Sequence, residues 1–330
     1  MNNRRKLVIA LGASALAAPF PSFAQQAGKI WRLGYLDFAS HKSMVDAGRY
    51  PDLIQGLREQ GYVEGKHFVL EARFAEGKAD RLNALAAELV QSKVDLILST
   101  GTPASHAAKR ATATIPIVIT ATTDPVGEGF AASLARPGAN ITGMATGVED
   151  TIQKLVELLM LAAPKVKRIA AITNPASSVH TPLLALVQSA ARKSGKQVLP
   201  VAVRTPEEIE RGFATMARER ADAVIIFLDA FLFQQRTQFA ALALKHRLPS
   251  ISQFSQFPEV GGLMSYGSDL NDNFRRAGVF VDKILKGTKP GDIPFEQPTR
   301  YSLVVNRKTA NTLGIKFGKE MAARVDRVIE

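Results

Sequence analysis

The chain alternates short apolar runs with amphipathic stretches along most of its length. In Asp95–Thr120 the apolar run Leu96-Ile97-Leu98 stops at Ser99-Thr100-Gly101-Thr102. Pro103 then opens a helix-compatible segment, Ala104–Ala111, and a second apolar run follows at Ile115–Thr120. Strand, polar turn, helix, strand is one parallel βαβ step. Proline suits the first helical turn, where its fixed φ fits and its missing N–H leaves nothing unpaired. The N–H groups and hydroxyls of residues 100–105 therefore converge at a helix N-terminus, which favours a carboxylate.

The same pattern precedes this step. Ile30–Leu36 reads as a strand followed by the polar loop Asp37–Ser43. A helix is predicted over Asp52–Gln60, with Leu53, Ile54 and Leu57 on one face and Gly61 as its stop. Phe68–Phe74 alternates as a strand. Asp80 is expected to cap a helix carrying Leu82, Leu85, Ala86 and Leu89 on one face.

After the step come Thr122-Thr123-Asp124-Pro125, a Gly-rich Val126–Phe130, and Arg136–Gly143, turn formers without a period that predict a first crossing into another lobe. The rhythm then restarts. Helices are predicted over Thr151–Ala162, from Thr181-Pro182 to Gly195, from Thr205-Pro206 onward with capping-box spacing to Glu208, and from Asp229 to His246. Strands are predicted over Arg168–Thr173, Gln197–Val203, Ala223–Leu228 and Pro249–Ser252.

Two α/β halves in tandem, with near-continuous apolar strands, predict parallel sheets covered on both faces. Open α/β sheets bind ligands beyond the carboxyl ends of their strands. Here those ends are Asp37–Ser43, Ser99–Ser105, Thr122–Gly129, Asn174–Thr181, Asp229–Phe233 and Gln253–Phe257.

Length fits this picture, since 330 residues suit two domains. The absence of cysteine excludes disulfides, thiol catalysis, Cys-ligated metals and a lipid-modified N-terminal cysteine. A net charge of +12 raises nucleic acid as a partner, but the basic residues are scattered in short pairs such as Lys109-Arg110 and Arg275-Arg276. The chain has one Trp and no basic–aromatic segment, so the charge reads as solvated surface.

Met1–Ala24 has a basic start (Arg4, Arg5, Lys6), an apolar middle from Leu7 to Phe20 and the small-residue end Ser22-Phe23-Ala24, the layout of a signal peptide cleaved after Ala24. Arg4-Arg5 also fits a twin-arginine signal, with Asn3 in place of the usual Ser or Thr. Either signal predicts export to the periplasm with no lipid anchor, and cleavage, which removes three basic residues and no acidic ones, takes the expected charge from +12 to +9.

Enzyme motifs are weak. Gly127-Glu128-Gly129-Phe130-Ala131-Ala132 matches G-x-G-x-x-A, yet Thr122–Val126 separate it from its strand. Gly61–Lys66 is one residue short of P-loop spacing, with His67 where Ser or Thr belongs. No G-x-S-x-G or H-E-x-x-H occurs, and the five histidines are far apart in sequence, so neither cofactor nor metal is expected.

Six ordered segments carry a family likeness: GTPASHAAKRATATIPIV, DPVGEGF, SLARPGANITG, GGLMSYGSD, DKILKGTKPGDIPFEQPT and VVNRKTANTLGI. From about Lys29 to Gly314 the chain resembles the ABC-transporter substrate-binding family, whose members include tryptophan- and tyrosine-binding proteins. That resemblance implies the type I periplasmic-binding-protein fold, two Rossmann-like lobes joined by three hinge crossings with the ligand trapped between them. It places residues 29–143 and 265–297 in lobe 1, and 144–264 and 298–330 in lobe 2. Leu263–Gly267 then carries the chain back to lobe 1, and Asn271–Lys286 is a lobe 1 helix with Phe274, Ala277, Val281 and Ile284 inward. Ile293–Pro298 is the third crossing, and Tyr301–Asn306 returns to lobe 2.

The resemblance also implies a non-enzymatic monomer that captures a small ligand, an amino acid of aromatic or apolar kind or another small carboxylate, by lobe closure and delivers it to an inner-membrane ABC permease. A periplasmic sensor serving a membrane receptor is the alternative. Type I amino-acid receptors take the carboxylate on Ser/Thr and backbone N–H groups of the first lobe. Here that implies Thr100, Gly101 and Thr102, with Thr122 or Thr123 adjoining, unless these hydroxyls merely cap the following helix. Asp229 is the candidate for the ligand's ammonium or else a helix cap, and Asp124 is a second acidic candidate or else a turn residue. Asn174 and Ser177 belong to the second-lobe rim. Tyr35, Phe38, Phe231 and Phe254 border predicted loops and are either an apolar wall or core.

Overall fold

The computed structural model describes residues 29–330; the leader expected over Met1–Ala24 lies outside the described residues. Two sheets organise the chain. The first comprises β1 (Trp31–Asp37), β2 (Phe68–Phe74), β3 (Leu96–Thr100), β4 (Ile117–Thr122) and β5 (Ile141–Ala145), in the order β2-β1-β3-β4-β5 and parallel throughout. The second comprises β6 (Arg168–Thr173), β7 (Gln197–Ala202), β8 (Ala223–Ile226), β9 (Ser250–Ser252), β10 (Met264–Gly267), β11 (Ser302–Asn306) and β12 (Arg327–Ile329), in the order β12-β11-β10-β9-β8-β6-β7. Only β10 and β11 run antiparallel there.

Read from β7, the second sheet repeats the first: its initial strand lies inside, its second at the edge, and the next three follow on the other side. Apolar runs such as Leu96-Ile97-Leu98 and Ala223–Ile226 are buried throughout because helices cover both faces of a parallel sheet. Each lobe has its own core, one centred on Leu53, Leu57, Phe274 and Phe280 together with Leu85, Leu89 and Ile97, the other on Ile152, Leu155, Phe213 and Ile225.

The chain passes between lobes three times: at Thr146-Gly147, at Ser268-Asp269, and after Glu296, which still pairs beside β5 through Ala145 N–H to its carbonyl at 2.8 Å. Two boundaries differ from the sequence expectation. The first sheet continues to Ala145, because the turn-rich Arg136–Gly143 ends in a strand. Met264–Gly267 belongs wholly to the second sheet, paired with β9 and β11, so the return to lobe 1 follows it.

Local signals mostly act as read. Thr205 accepts from Glu208 N–H as an N-cap. Asp80, by contrast, sits in a 3-10 turn, Ala79–Arg81, and makes no side-chain cap bond. The Asp37–Ser43 loop is shorter than expected, since a helix begins at His41, and the next helix, Arg49–Glu59, starts three residues before Asp52. The motif at Gly127–Ala132 lies in turns with no helix following it directly, and the βα geometry of a dinucleotide site is missing there. No helix among the described residues is long and apolar enough to cross a membrane.

Candidate functional site

In a sheet of order 2-1-3-4-5 the strand order reverses between the first and third strands, and loops leaving their carboxyl ends diverge to leave a crevice. In lobe 1 that crevice lies between Asp37, ending β1, and Thr100-Gly101, at the end of β3. In lobe 2 it lies between Thr173-Asn174, at the end of β6, and Leu228-Asp229, beyond β8. A cavity of about 430 Å³ is lined from both sides by these ends, including Asp37, Thr100, Gly101, Thr102, Thr122, Asn174, Ser177 and Asp229. Its size falls within the range of small-molecule sites, about 300–1,000 Å³. A larger groove of about 1080 Å³ runs beside the crossings, lined by residues such as Asp269, Arg276 and Gln297, but it lies at neither switch point.

The floor on the lobe 1 side is a chain of hydroxyls. Tyr35 donates to Asp37 Oδ2 at 2.7 Å. Its oxygen is 2.9 Å from Thr100 Oγ1, which is 2.9 Å from Thr120 Oγ1. Because the tyrosine proton is committed to the carboxylate, Thr100 donates to Tyr35 and has no proton left for a ligand. Ala39 N–H occupies Asp37 Oδ1 at 2.9 Å. Burial raises the Asp37 pKa, opposed by the charge of Arg49 and by the hydrogen bonds from Ala39, Tyr35 and Phe38.

Helix Thr102–Ala111 begins beside this floor. Gly101 precedes it at φ +80°, a conformation that suits glycine, and makes no side-chain cap. Neither Thr100 nor Thr102 caps the helix: Thr102 Oγ1 lies 3.2 Å from Thr122 Oγ1 instead. Ser105 N–H makes the first internal bond, to Gly101 at 3.1 Å, so the N–H groups of Thr102 and Ala104 precede the ladder.

The opposite wall is more fully satisfied. Asp229 caps helix Ala230–Gln234, accepting from Phe231 N–H at 2.9 Å and Leu232 N–H at 3.0 Å, and holds the Asn174 amide at 3.2 Å. Asn174 Oδ1 in turn accepts from Ala176 N–H at 3.0 Å. At the mouth, Glu128 of lobe 1 accepts from His106 at 2.6 Å and from the Ser178 hydroxyl of lobe 2, tying the lobes together.

Five expected contacts lie elsewhere. Asp124 turns back to Gly127 N–H at 2.8 Å and is absent from the lining. Tyr35, Phe38 and Phe254 are core side chains, and Phe231 packs between the cores of both lobes without reaching the cavity. The aromatic that does reach it is Phe233, with Leu82, Leu228 and Leu270 as further apolar lining. Arg49, at the start of helix Arg49–Glu59, also lines the cavity and was missed by sequence reasoning, as were His106, Arg110, Glu128 and Ser178; the Arg49 guanidinium carbon lies 4.0 Å from the centre of the Phe233 ring, across the lobe boundary. Burial lowers its pKa, while Asp37 and Tyr35 raise it.

With this geometry in place, relatives become informative. The sequence profile of the family described as ABC transporter substrate binding protein matches residues 33–329. The chain belongs to that family. Its architecture is the type I periplasmic-binding-protein fold. This substrate-binding protein is 26% identical over 284 residues to the tyrosine-binding protein of Clostridioides difficile (strain R20291), covering 86% of this chain and 81% of that protein. Among solved structures, the ABC domain from Streptococcus pneumoniae in complex with L-Trp superposes with a TM-score of 0.84 at 28% identity, covering 91% of this chain and 100% of that one. The ligand-free, open structure of a substrate binding protein with adhesive properties from Clostridium difficile gives 0.67 at 25% identity, covering 91% and 99%.

Proposed function

We propose that this substrate-binding protein is the periplasmic receptor of an ABC importer, exported by its leader, monomeric and without catalytic activity. It captures a small ligand, an amino acid with an aromatic or apolar side chain or another small carboxylate, between its lobes and delivers it to a membrane permease. The observation that carries this reading is the cavity at the two facing switch points, polar on the lobe 1 side and bordered by Phe233, Leu82, Leu228 and Leu270. Thr102, Thr122 and the first N–H groups of helix Thr102–Ala111, with Gly101 and Thr100 behind them, form the polar lobe 1 wall. Asn174, Ser177 and Asp229 complete the site from lobe 2. A ligand that touches both walls has the differential affinity that closure requires. The better superposition on the L-Trp complex than on the open, ligand-free relative, at similar identity, supports the closed arrangement as the one described here.

A thermal-shift screen with the twenty L-amino acids, simple carboxylates and amines tests the reading. A ligand at one hundred times its Kd adds about 2.7 kcal/mol, which in a protein of this size raises the Tm by about 4 °C. No shift with any compound at millimolar concentration counts against it. Closure also gives the Glu128–Ser178 bond a job. Ser178→Ala is expected to speed ligand release about fivefold to tenfold by removing a charge-assisted bond at a partly exposed site. An unchanged koff by stopped flow would place that bond outside the closing equilibrium.

A further inference from the structure

Arg49 is 6% exposed, and among the described residues its guanidinium has neither a hydrogen-bond nor an ion-pair partner; its Nε is a buried donor left unsatisfied. The negative charge facing it, Asp37, is not in ion-pair contact and is already held by Tyr35 and Ala39. Its other neighbours deepen the imbalance. Arg236 of lobe 2 lies 4.5 Å from the same Phe233 ring and repels Arg49. Phe274, at 5.4 Å, offers only a ring face. A ring face returns only part of what a buried charge loses when it is stripped of water and left without hydrogen bonds. The shortfall sits on the wall of the interlobe cavity.

We propose that Arg49 recognises the anionic end of the ligand, a carboxylate, which supplies the hydrogen bonds and counter-charge this guanidinium lacks. This deepens, and rests on, the reading of the cavity as the solute site. Groups already satisfied by the protein gain little from a ligand, and an unsatisfied buried donor gains most. That separates Arg49 from Thr100, whose proton is committed, and from Asp229, which caps a helix. A planar guanidinium also matches a carboxylate in bidentate fashion. Because Arg49 belongs to lobe 1 and its ring partner Phe233 to lobe 2, the carboxylate is bound where the lobes meet.

The test compares wild type with Arg49→Met and Arg49→Lys by isothermal titration. The probes are whichever of the twenty L-amino acids binds most tightly, its primary amide, its decarboxylated amine, and benzoate. Wild type is expected to prefer the amino acid over the amide and amine by at least about 100-fold. Arg49→Met is expected to lose at least about 30-fold for the amino acid and little for the amide. Its unliganded Tm is expected to equal or exceed that of wild type, since replacing an unpaired buried charge with an apolar side chain removes a cost. Arg49→Lys should be intermediate.

Equal losses for acid and amide, or a lower unliganded Tm with discrimination intact, would make Arg49 a packing residue and overturn the proposal. Wild type binding the amide as tightly as the acid overturns it without any variant. Binding of benzoate alone, abolished in Arg49→Met, upholds Arg49 and discards the amino-acid reading. Tight binding only of compounds without an anion discards Arg49 and leaves the solute receptor standing; no binding of any probe discards both.

Discussion

Gly278→Val is expected to destabilise the protein by about 3 kcal/mol or more, seen as a lower urea midpoint and Tm. Helix Leu270–Leu285, the segment that returns to lobe 1, crosses helix Arg49–Glu59 with glycine on both sides of the contact. A Cβ on Gly278 would lie 2.3 Å from the carbonyl carbon of Gly56, and one on Gly56 would lie 1.8 Å from the carbonyl oxygen of Arg275. Both obstacles are backbone, so no rotamer change relieves them and the helices must separate. Separation opens the layer in which Phe274, Phe280 and Val281 meet Leu53 and Leu57, all fully buried. It also displaces Arg49, on the same helix, from the cavity wall. Gly318→Ala is the control: a Cβ there meets nothing within 4 Å and φ is −65°, so only the small cost of alanine at the N-cap of helix Lys319–Ala322, about 1 kcal/mol or less, is expected. A Gly278→Val variant within 1 kcal/mol of wild type would show that this crossing tolerates a wider spacing.

Phe233→Ala is expected to damage stability and binding together. Phe233 is 3% exposed, packs edge-to-face on Phe254 at 5.3 Å, carries Arg49 and Arg236 on its ring and borders the cavity. Truncating a buried phenylalanine costs about 3–5 kcal/mol. The loss of wall and of the Arg49 support is expected to raise the ligand Kd at least about 30-fold. Phe233→Leu separates the two effects, since it refills most of the volume without a π face. Stability near wild type with binding still weakened would show that the ring positions Arg49; full recovery of both would reduce Phe233 to packing.

Much of this protein was legible before any coordinates. The period of Leu53, Ile54 and Leu57, the cap at Thr205 and the abrupt end of Leu96-Ile97-Leu98 are local signals, set by propensity and by the burial of one face, and they place most strands and helices within a few residues. The strand-end loops that meet at the cavity could be read for the same reason. Boundaries failed where local signals conflicted: turn-rich Arg136–Gly143 conceals the start of β5, and Met264–Gly267 gives no sign of which sheet it joins, because strand pairing is non-local.

The aromatic wall was misread for a related reason. Tyr35 lies in a strand buried on both faces, so no alternation marks which side chains face the cavity and which face the core. Sequence by itself determined the elements, their repetition in two lobes and the family, because each follows from short-range spacing or from ordered segments. Tertiary structure alone decided the buried charge on the cavity wall. Arg49 stands at a helix start, where water would ordinarily solvate it, and only the arrival of Phe233 from the other lobe and the commitment of Asp37 to Tyr35 leave its guanidinium buried and, among the described residues, unpaired.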